Sequence, residues 1–152
     1  MDFPRRVEKP WGHELWYAHT DRYAGKILHV NAGHRLSLQY HHAKDESNYL
    51  LSGRLKLIKG PTPEDLTEVE LGPGDVWRNL PGEIHTIEAI EDADVLEVST
   101  PELDDVVRLS DSYGREGTTA HRPTPNGVLH VLGRTRHPSG ASKYLIKPGR
   151  HK

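Results

Sequence analysis

The sequence predicts an all-β fold, an antiparallel sandwich or barrel, and three observations carry that expectation. Between residues 14 and 99 the apolar runs are only four to six residues long, with turn signals every 8 to 12 residues. Arg54-Leu55-Lys56-Leu57-Ile58-Lys59 alternates polar and apolar, the period of a half-buried strand. The intervening segments, such as Gly72-Pro73-Gly74-Asp75, have the composition of tight turns.

Taken in order, residues 3–12 read as an extended lead-in with two prolines. Strands are expected over 14–17 and 23–30, joined by the polar turn His19-Thr20-Asp21, and then over 36–41 and 48–51 after the turn Asn31-Ala32-Gly33. Residues 54–59 follow, then a loop over 60–65 and strands over 67–71, 76–80, 84–90 and 94–99. In 102–110, Leu103, Val106, Val107 and Leu109 stand near helical spacing, which predicts one short helix after the last strand. Beyond Gly117 the chain is rich in Gly, Pro, Thr and His, with apolar islands at 128–132 and 144–146 that would serve as edge strands or lie in an unstructured tail. The division expected is a single domain over 1–116 and a basic extension over 117–152.

Length and composition narrow the function. A chain of 152 residues supports one core rather than two. No apolar run is long enough to cross a bilayer, and the N-terminus lacks a signal-peptide stretch. There is no cysteine, which excludes disulfides, thiolate metal sites and cysteine nucleophiles. Cytoplasmic residence with no membrane contact is the expectation. Residues 1–115 hold 21 acidic and 13 basic residues, whereas 116–152 hold one acid against seven Lys/Arg. Those basic residues are scattered and only Tyr144 accompanies them, so no nucleic acid partner is expected.

The chemistry concentrates in the stretch from Gly33 to Gly53. Gln39 and His41 are two apart, so on a strand they share a face. Glu46 follows on what reads as the return strand of one hairpin, and His85 opens a later apolar strand. Two nitrogens and two oxygens without thiolates suit one divalent ion: Zn²⁺ first, with Mn²⁺, Fe²⁺, Ni²⁺ or Co²⁺ as alternatives. Such a set leaves one or two positions for water or substrate.

These spacings resemble the cupin superfamily. Gly33, Gln39, His41, Glu46 and Gly53 meet its first motif, with Gln39 replacing the commoner histidine. Gly74-Asp75, Gly82 and His85 meet its second, although Leu80 stands where that motif has proline and Ala89 where it has asparagine. Within the superfamily the chain is similar to the phosphomannose isomerase domain of the type II, bifunctional enzymes. Lys9-Pro10-Trp11-Gly12, Arg35-Leu36-Ser37-Leu38-Gln39-Tyr40-His41-His42, Asp104-Asp105-Val106-Val107-Arg108-Leu109 and Asp111-Ser112-Tyr113-Gly114-Arg115 carry that likeness over roughly residues 8–116. It implies a double-stranded β-helix, or jelly-roll, with a metal on Gln39, His41, Glu46 and His85. Ala43 and Lys44 stand where the family has a histidine and an arginine; the charge survives but the forked grip does not.

The resemblance further implies a metal-dependent aldose–ketose isomerase, most simply of mannose 6-phosphate to fructose 6-phosphate, with Arg35, Lys44, Arg108 and Arg115 as candidates for the phosphate. Trp11 and Tyr113 are candidate pocket walls and Glu83 a support for His85. No catalytic base is identified; His42 is a weak candidate, being on the opposite strand face from His41. The nucleotidyltransferase half of the bifunctional enzymes is not found in these residues, so guanylyl transfer is not expected. The alternatives are another metal-dependent cupin enzyme, such as a dioxygenase or a sugar or keto-acid isomerase, and a non-catalytic cupin that binds a sugar or a metal. A homodimer, paired through an edge strand, is the default assembly.

Overall fold

A computed structural model of the chain describes residues 2–117. The sequence rhythm resolves into eleven strands: β1 (Arg5–Lys9), β2 (Gly12–His19), β3 (Ala24–Val30), β4 (Leu38–Tyr40), β5 (Glu46–Ser52), β6 (Leu55–Thr62), β7 (Asp65–Leu71), β8 (Val76–Asn79), β9 (Ile84–Ala89), β10 (Ala93–Ser99) and β11 (Val107–Ser110). They form two antiparallel sheets, one of six strands in the order β1-β2-β3-β10-β5-β8 and one of five in the order β11-β4-β9-β6-β7. The all-β double-sheet architecture expected from the sequence is therefore the one observed. Among the described residues no helix is long and apolar enough to cross a membrane.

Alternation along each strand builds the core. Leu28 and Val30 of β3, Leu50 of β5, Leu55 and Leu57 of β6, Ile87 of β9 and Val95 of β10 all point between the sheets and are nearly inaccessible. Full burial of each such side chain contributes about 1.5–3 kcal/mol. A smaller cluster of Leu38, Tyr40, Ile84 and Val107, with Leu66 and Leu109 against it, lies on the other face of the five-stranded sheet. Because Leu38 and Tyr40 face outward there, Gln39 and His41 face inward. One turn depends on glycine: Gly53, between β5 and β6, has φ +86, and a Cβ there would lie 2.1 Å from the Asp92 carbonyl oxygen.

Several expectations are corrected. The lead-in contains a paired strand, β1, whose register with β2 runs from Arg5↔Trp16 to Lys9↔Gly12. The expected loop over 60–65 shrinks to a turn at Pro63-Glu64 between β6 and β7. The short helix over 102–110 is absent: residues 101–106 make tight turns, and β11 then pairs with β4 through Val107↔Tyr40 and Arg108↔Gln39. Val107 and Leu109, two apart, bury one face of that strand, and a period of two fitted those residues as well as a helical one. Nor do β4 and β5 form a hairpin. β4 lies between β11 and β9 and β5 between β10 and β8, in opposite sheets. The islands at 128–132 and 144–146 lie outside the described residues.

Candidate metal centre

Crossing from one sheet to the other brings the ligand candidates together. His41 follows β4, His85 sits in β9 and Glu46 opens β5 on the facing sheet, and one ligand atom from each lies within 4.8 Å of the others. All three are buried. His85 Nε2 stands 3.3 Å and His41 Nε2 3.8 Å from Glu46 Oε1, and the two imidazole centroids are 5.0 Å apart. Gln39 is the cross-strand partner of His85, so their side chains share the inner face, and Ser37 Oγ donates to the Gln39 amide oxygen at 2.7 Å.

The hydrogen bonds fix which nitrogens are left for a cation. His41 Nδ1 donates to the Asp105 carbonyl, and His85 Nδ1 donates to that of Glu83 at 2.9 Å. A carbonyl accepts only, so each neutral ring carries its lone pair on Nε2. Both Nε2 atoms are buried and have no hydrogen-bond partner. Leaving such atoms unsatisfied costs about 1–3 kcal/mol each, and a divalent ion between the two Nε2 atoms and the Glu46 carboxylate would satisfy both. Burial holds His85 below the ordinary histidine range, which keeps the ring in its ligating form. The residues present fit a metal.

Lys44 and Glu97 complete the buried charge. Lys44 Nζ donates to Glu46 Oε2 at 2.9 Å and to Glu97 Oε1 at 2.8 Å, with all three side chains about 6% exposed. Burial alone would discharge this lysine, but the two carboxylates hold it protonated. Burial likewise opposes charge on Glu46, yet the Lys44 ammonium keeps its carboxyl well below the usual range. Removing one member of such a buried set costs about 3–5 kcal/mol. The ammonium of Lys44 is thus spent on orienting and neutralising a candidate metal ligand. Asn79 Nδ2 adds a donor to Glu46 Oε1 at 2.8 Å.

His41 and Gln39 also line a pocket of about 140 Å³. Lys9, Lys26, Lys44, Arg108 and Arg115 line it against two carboxylates, Glu14 and Asp104. Glu14 accepts from Lys26 Nζ at 3.1 Å and Trp16 Nε1 at 2.9 Å. Arg115 is fixed by a two-point contact with Asp111 at 2.9 and 3.0 Å. Arg108 donates from Nη1 to the Glu116 carbonyl, while its Nε is a buried donor with no acceptor. The segment 103–108, where a helix was expected, forms one wall.

Of the four cations expected to bind phosphate, Arg108 and Arg115 stand in this pocket, and Lys44 lines it with its ammonium already paired. Arg35 does not reach it. It bridges to Glu88, whose neighbours Ile87 and Ala89 fill the core, so Arg35 belongs to the outer face of the five-stranded sheet. Trp11 is a wall, whereas Tyr113 packs on the core and contacts His34 Nδ1 at 2.6 Å. His42 stacks edge-on to Tyr40, away from His41. Glu83 supports His85 through its backbone and pairs with Lys59 at 3.0 Å.

Sequence reasoning missed Glu14, Trp16, Lys26, Glu97 and Asp105. The first four were visible as polar or amphipathic residues at the inward positions of β2, β3 and β10, an odd placement unless they meet one another. Asp105 gave no such signal. Its carboxylate accepts from the backbone N–H of His42 (3.1 Å), Ala43 (2.7 Å) and Lys44 (3.1 Å), and its own carbonyl holds His41.

With this geometry in hand, the relatives are informative. The family model described as mannose-6-phosphate isomerase C-terminal matches residues 1–111. The chain is 34% identical over 116 residues to xanthan biosynthesis protein XanB of Xanthomonas campestris, covering 73% of this chain and 24% of that protein. It is 35% identical over 116 residues to a mannose-1-phosphate guanylyltransferase of Escherichia coli, covering 73% and 23%. The chain thus spans about a quarter of the length of these curated relatives. Among solved structures, oxalate decarboxylase from Bacillus subtilis superposes with a TM-score of 0.63 at 18% identity, over 97% of this chain and 41% of that one. KdgF from Halomonas sp. gives 0.58 at 20% identity, over 66% and 90%. Identities this low establish the shared fold and nothing further. The family match, running from the first residue to the end of β11, is decisive on descent: the chain belongs to the mannose-6-phosphate isomerase C-terminal family of cupin domains.

Proposed function

We propose that this domain is a metal-dependent aldose–ketose isomerase of a sugar phosphate, most simply interconverting mannose 6-phosphate and fructose 6-phosphate. The observation that carries the reading is the juxtaposition of two buried, unpartnered imidazole Nε2 atoms beside Glu46 with a pocket in which cations outnumber carboxylates. His41, Glu46 and His85, with Gln39 beside them, would hold one divalent ion, Zn²⁺ in the simplest case. That ion would offer positive charge to the oxygens of the open-chain sugar while a proton moves between C1 and C2.

The chain's own residues supply the rest. Arg115, paired at two points with Asp111, and Arg108, with its unsatisfied Nε, would take the phosphate. Lys9 adds a third charge at the rim; burial, and then the neighbouring charges including Arg108 and Arg115, hold its ammonium below the ordinary range, so an incoming dianion would relieve this crowding. The Lys26–Glu14–Trp16 contacts stiffen the opposite wall and limit how the sugar ring end can turn. Lys44 and Asp105 keep Glu46 and His41 in position throughout.

The test is exchange of solvent deuterium into C2 of mannose 6-phosphate by the metal-loaded chain, followed by NMR. Exchange with formation of fructose 6-phosphate is expected. No exchange by fully loaded protein would end the isomerase reading. Oxygen uptake by the Fe²⁺ form would move the assignment to a dioxygenase, and sugar binding without turnover to a binding cupin.

A further inference from the structure

An aldose–ketose isomerase needs a group that carries a proton between C1 and C2, and most candidates in the pocket are already committed. His41 donates from Nδ1 to the Asp105 carbonyl and keeps Nε2 for the candidate metal site. The Lys44 ammonium is held between Glu46 and Glu97. Arg108 and Arg115 do not give up a proton in proteins. That leaves the pocket's two carboxylates, Glu14 and Asp104. Asp104 is exposed on the turns of 101–106, whereas Glu14 is 7% exposed and enters from the inner face of β2.

The two oxygens of Glu14 are held differently. Oε1 takes both fixed donors, Lys26 Nζ from β3 at 3.1 Å and Trp16 Nε1 from β2 at 2.9 Å. Lys26 Nζ also lies 5.2 Å from the centre of the Trp16 ring, so the three groups brace one another. Oε2 meets only Lys9 Nζ, at 4.0 Å, which is beyond hydrogen-bonding reach. It is not among the sealed, unpartnered polar atoms of the described residues, so it opens to the pocket that Glu14 lines. One oxygen thus fixes the carboxylate and the other keeps its lone pairs for a substrate, as a general base requires. Against burial, Lys26 and then Lys9 hold this carboxyl below the ordinary glutamate range, so it is ionised at neutral pH. Arg108 of β11 is the third cation that senses its charge.

We propose that, in the isomerase inferred above and resting on that reading, Glu14 is the base that moves the proton, with Lys26 and Trp16 as its positioning residues. Oε2 takes the proton from C2 of the open-chain aldose. The C2–H electron pair forms the C1–C2 double bond, and the carbonyl pair passes to O1. The O2 proton then moves to O1, the C2–O2 bond becomes the new carbonyl, and C1 takes a proton back from Glu14. No oxidant or co-reactant is consumed, and Glu14 ends ionised as it began. While on Glu14 the proton can trade with solvent, which is how deuterium would enter the sugar.

Steady-state turnover of mannose 6-phosphate by the full, Zn²⁺-loaded chain tests this with Glu14→Gln, whose amide oxygen still accepts from Lys26 and Trp16 but takes up no proton. Its kcat should fall about 100-fold or more, with KM and metal content within about threefold of wild type and circular dichroism unchanged. Glu14→Asp keeps the charge beside Lys26 and draws the oxygens back by one methylene, so kcat should fall about tenfold or more. Lys26→Met leaves burial to raise the Glu14 carboxyl, so the acid limb of kcat/KM should move to higher pH between about pH 5 and 8, with metal content level over that range. A Glu14→Gln chain whose kcat stays within about threefold of wild type, or whose loss lies in KM alone, would overturn the proposal and leave the isomerase reading standing. A wild-type chain that neither turns over nor exchanges would remove that reading and the role of Glu14 with it.

Discussion

Asp105 holds the loop between the candidate ligands through three backbone hydrogen bonds, and Asp105→Ala is the perturbation that tests its role. Its carboxylate accepts three consecutive backbone N–H groups at 2.7–3.1 Å, from His42 to Lys44, between the candidate ligands His41 and Glu46. Those bonds, set against burial, hold its carboxyl below the ordinary aspartate range. Hydrogen bonds to a charged group contribute about 1.5–3 kcal/mol each. The Ala43 bond is exposed and the other two are only part-buried, so water replaces part of all three, and a net loss of about 2–4 kcal/mol is expected. The metal should feel the change indirectly. The Asp105 carbonyl that holds His41 survives the substitution, and only the backbone of 42–44, between the candidate ligands His41 and Glu46, loosens. A loss of about tenfold in affinity is expected, the low end for an outer support. Asp105→Asn, which keeps a neutral acceptor, should fall between. Competition against a chromophoric chelator gives the affinity and thermal melting the stability. Metal affinity within twofold of wild type in a folded Asp105→Ala chain would refute the assignment of this carboxylate as the clamp on the ligand loop.

Two further outcomes follow from the geometry. Arg115→Ala and Arg108→Ala should raise KM for a sugar phosphate at least about tenfold with unchanged metal content, while Arg35→Ala, on the outer face, should change neither; a loss of turnover in Arg35→Ala would contradict the placement of that side chain. Stability of the metal-free chain should depend on pH in a defined direction. His85 is held below its ordinary 6.5 by burial, and Glu46, despite burial, well below its ordinary 4.5 by Lys44. In both cases the unfolded chain binds the proton first, so stability is lost as pH falls, first below about 6.5 and further below about 4.5. A melting temperature that stays level from pH 7 to 4 would contradict this.

How far the sequence could be read is instructive residue by residue. Strand rhythm was legible because each strand of a double-sheet fold buries every second side chain. The ligand spacings were legible because Gln39 and His41, two apart, must share a face. The pairing of strands was not, because alternation marks a face without naming the sheet: Glu46 reaches His41 across the core and not across a hairpin. The helix expected over 102–110 failed for a related reason. Four apolar residues in seven fit either period, and the unpaired edge of β4, invisible in the sequence, decided for a strand. Charge was the least legible feature. Lys44 and Arg35 look alike as cations near a ligand motif, yet one is buried between Glu46 and Glu97 and the other lies on an outer face with Glu88. Only the partners distinguish them.

The account rests on one divalent ion held by His41, Glu46 and His85, and metal analysis of purified chains tests that most directly. Wild-type protein dialysed against trace Zn²⁺ should retain one ion per chain, and His85→Ala and His41→Ala, folded by circular dichroism, should retain less than about a tenth of that. Equal occupancy in the wild-type chain and in either variant would contradict it.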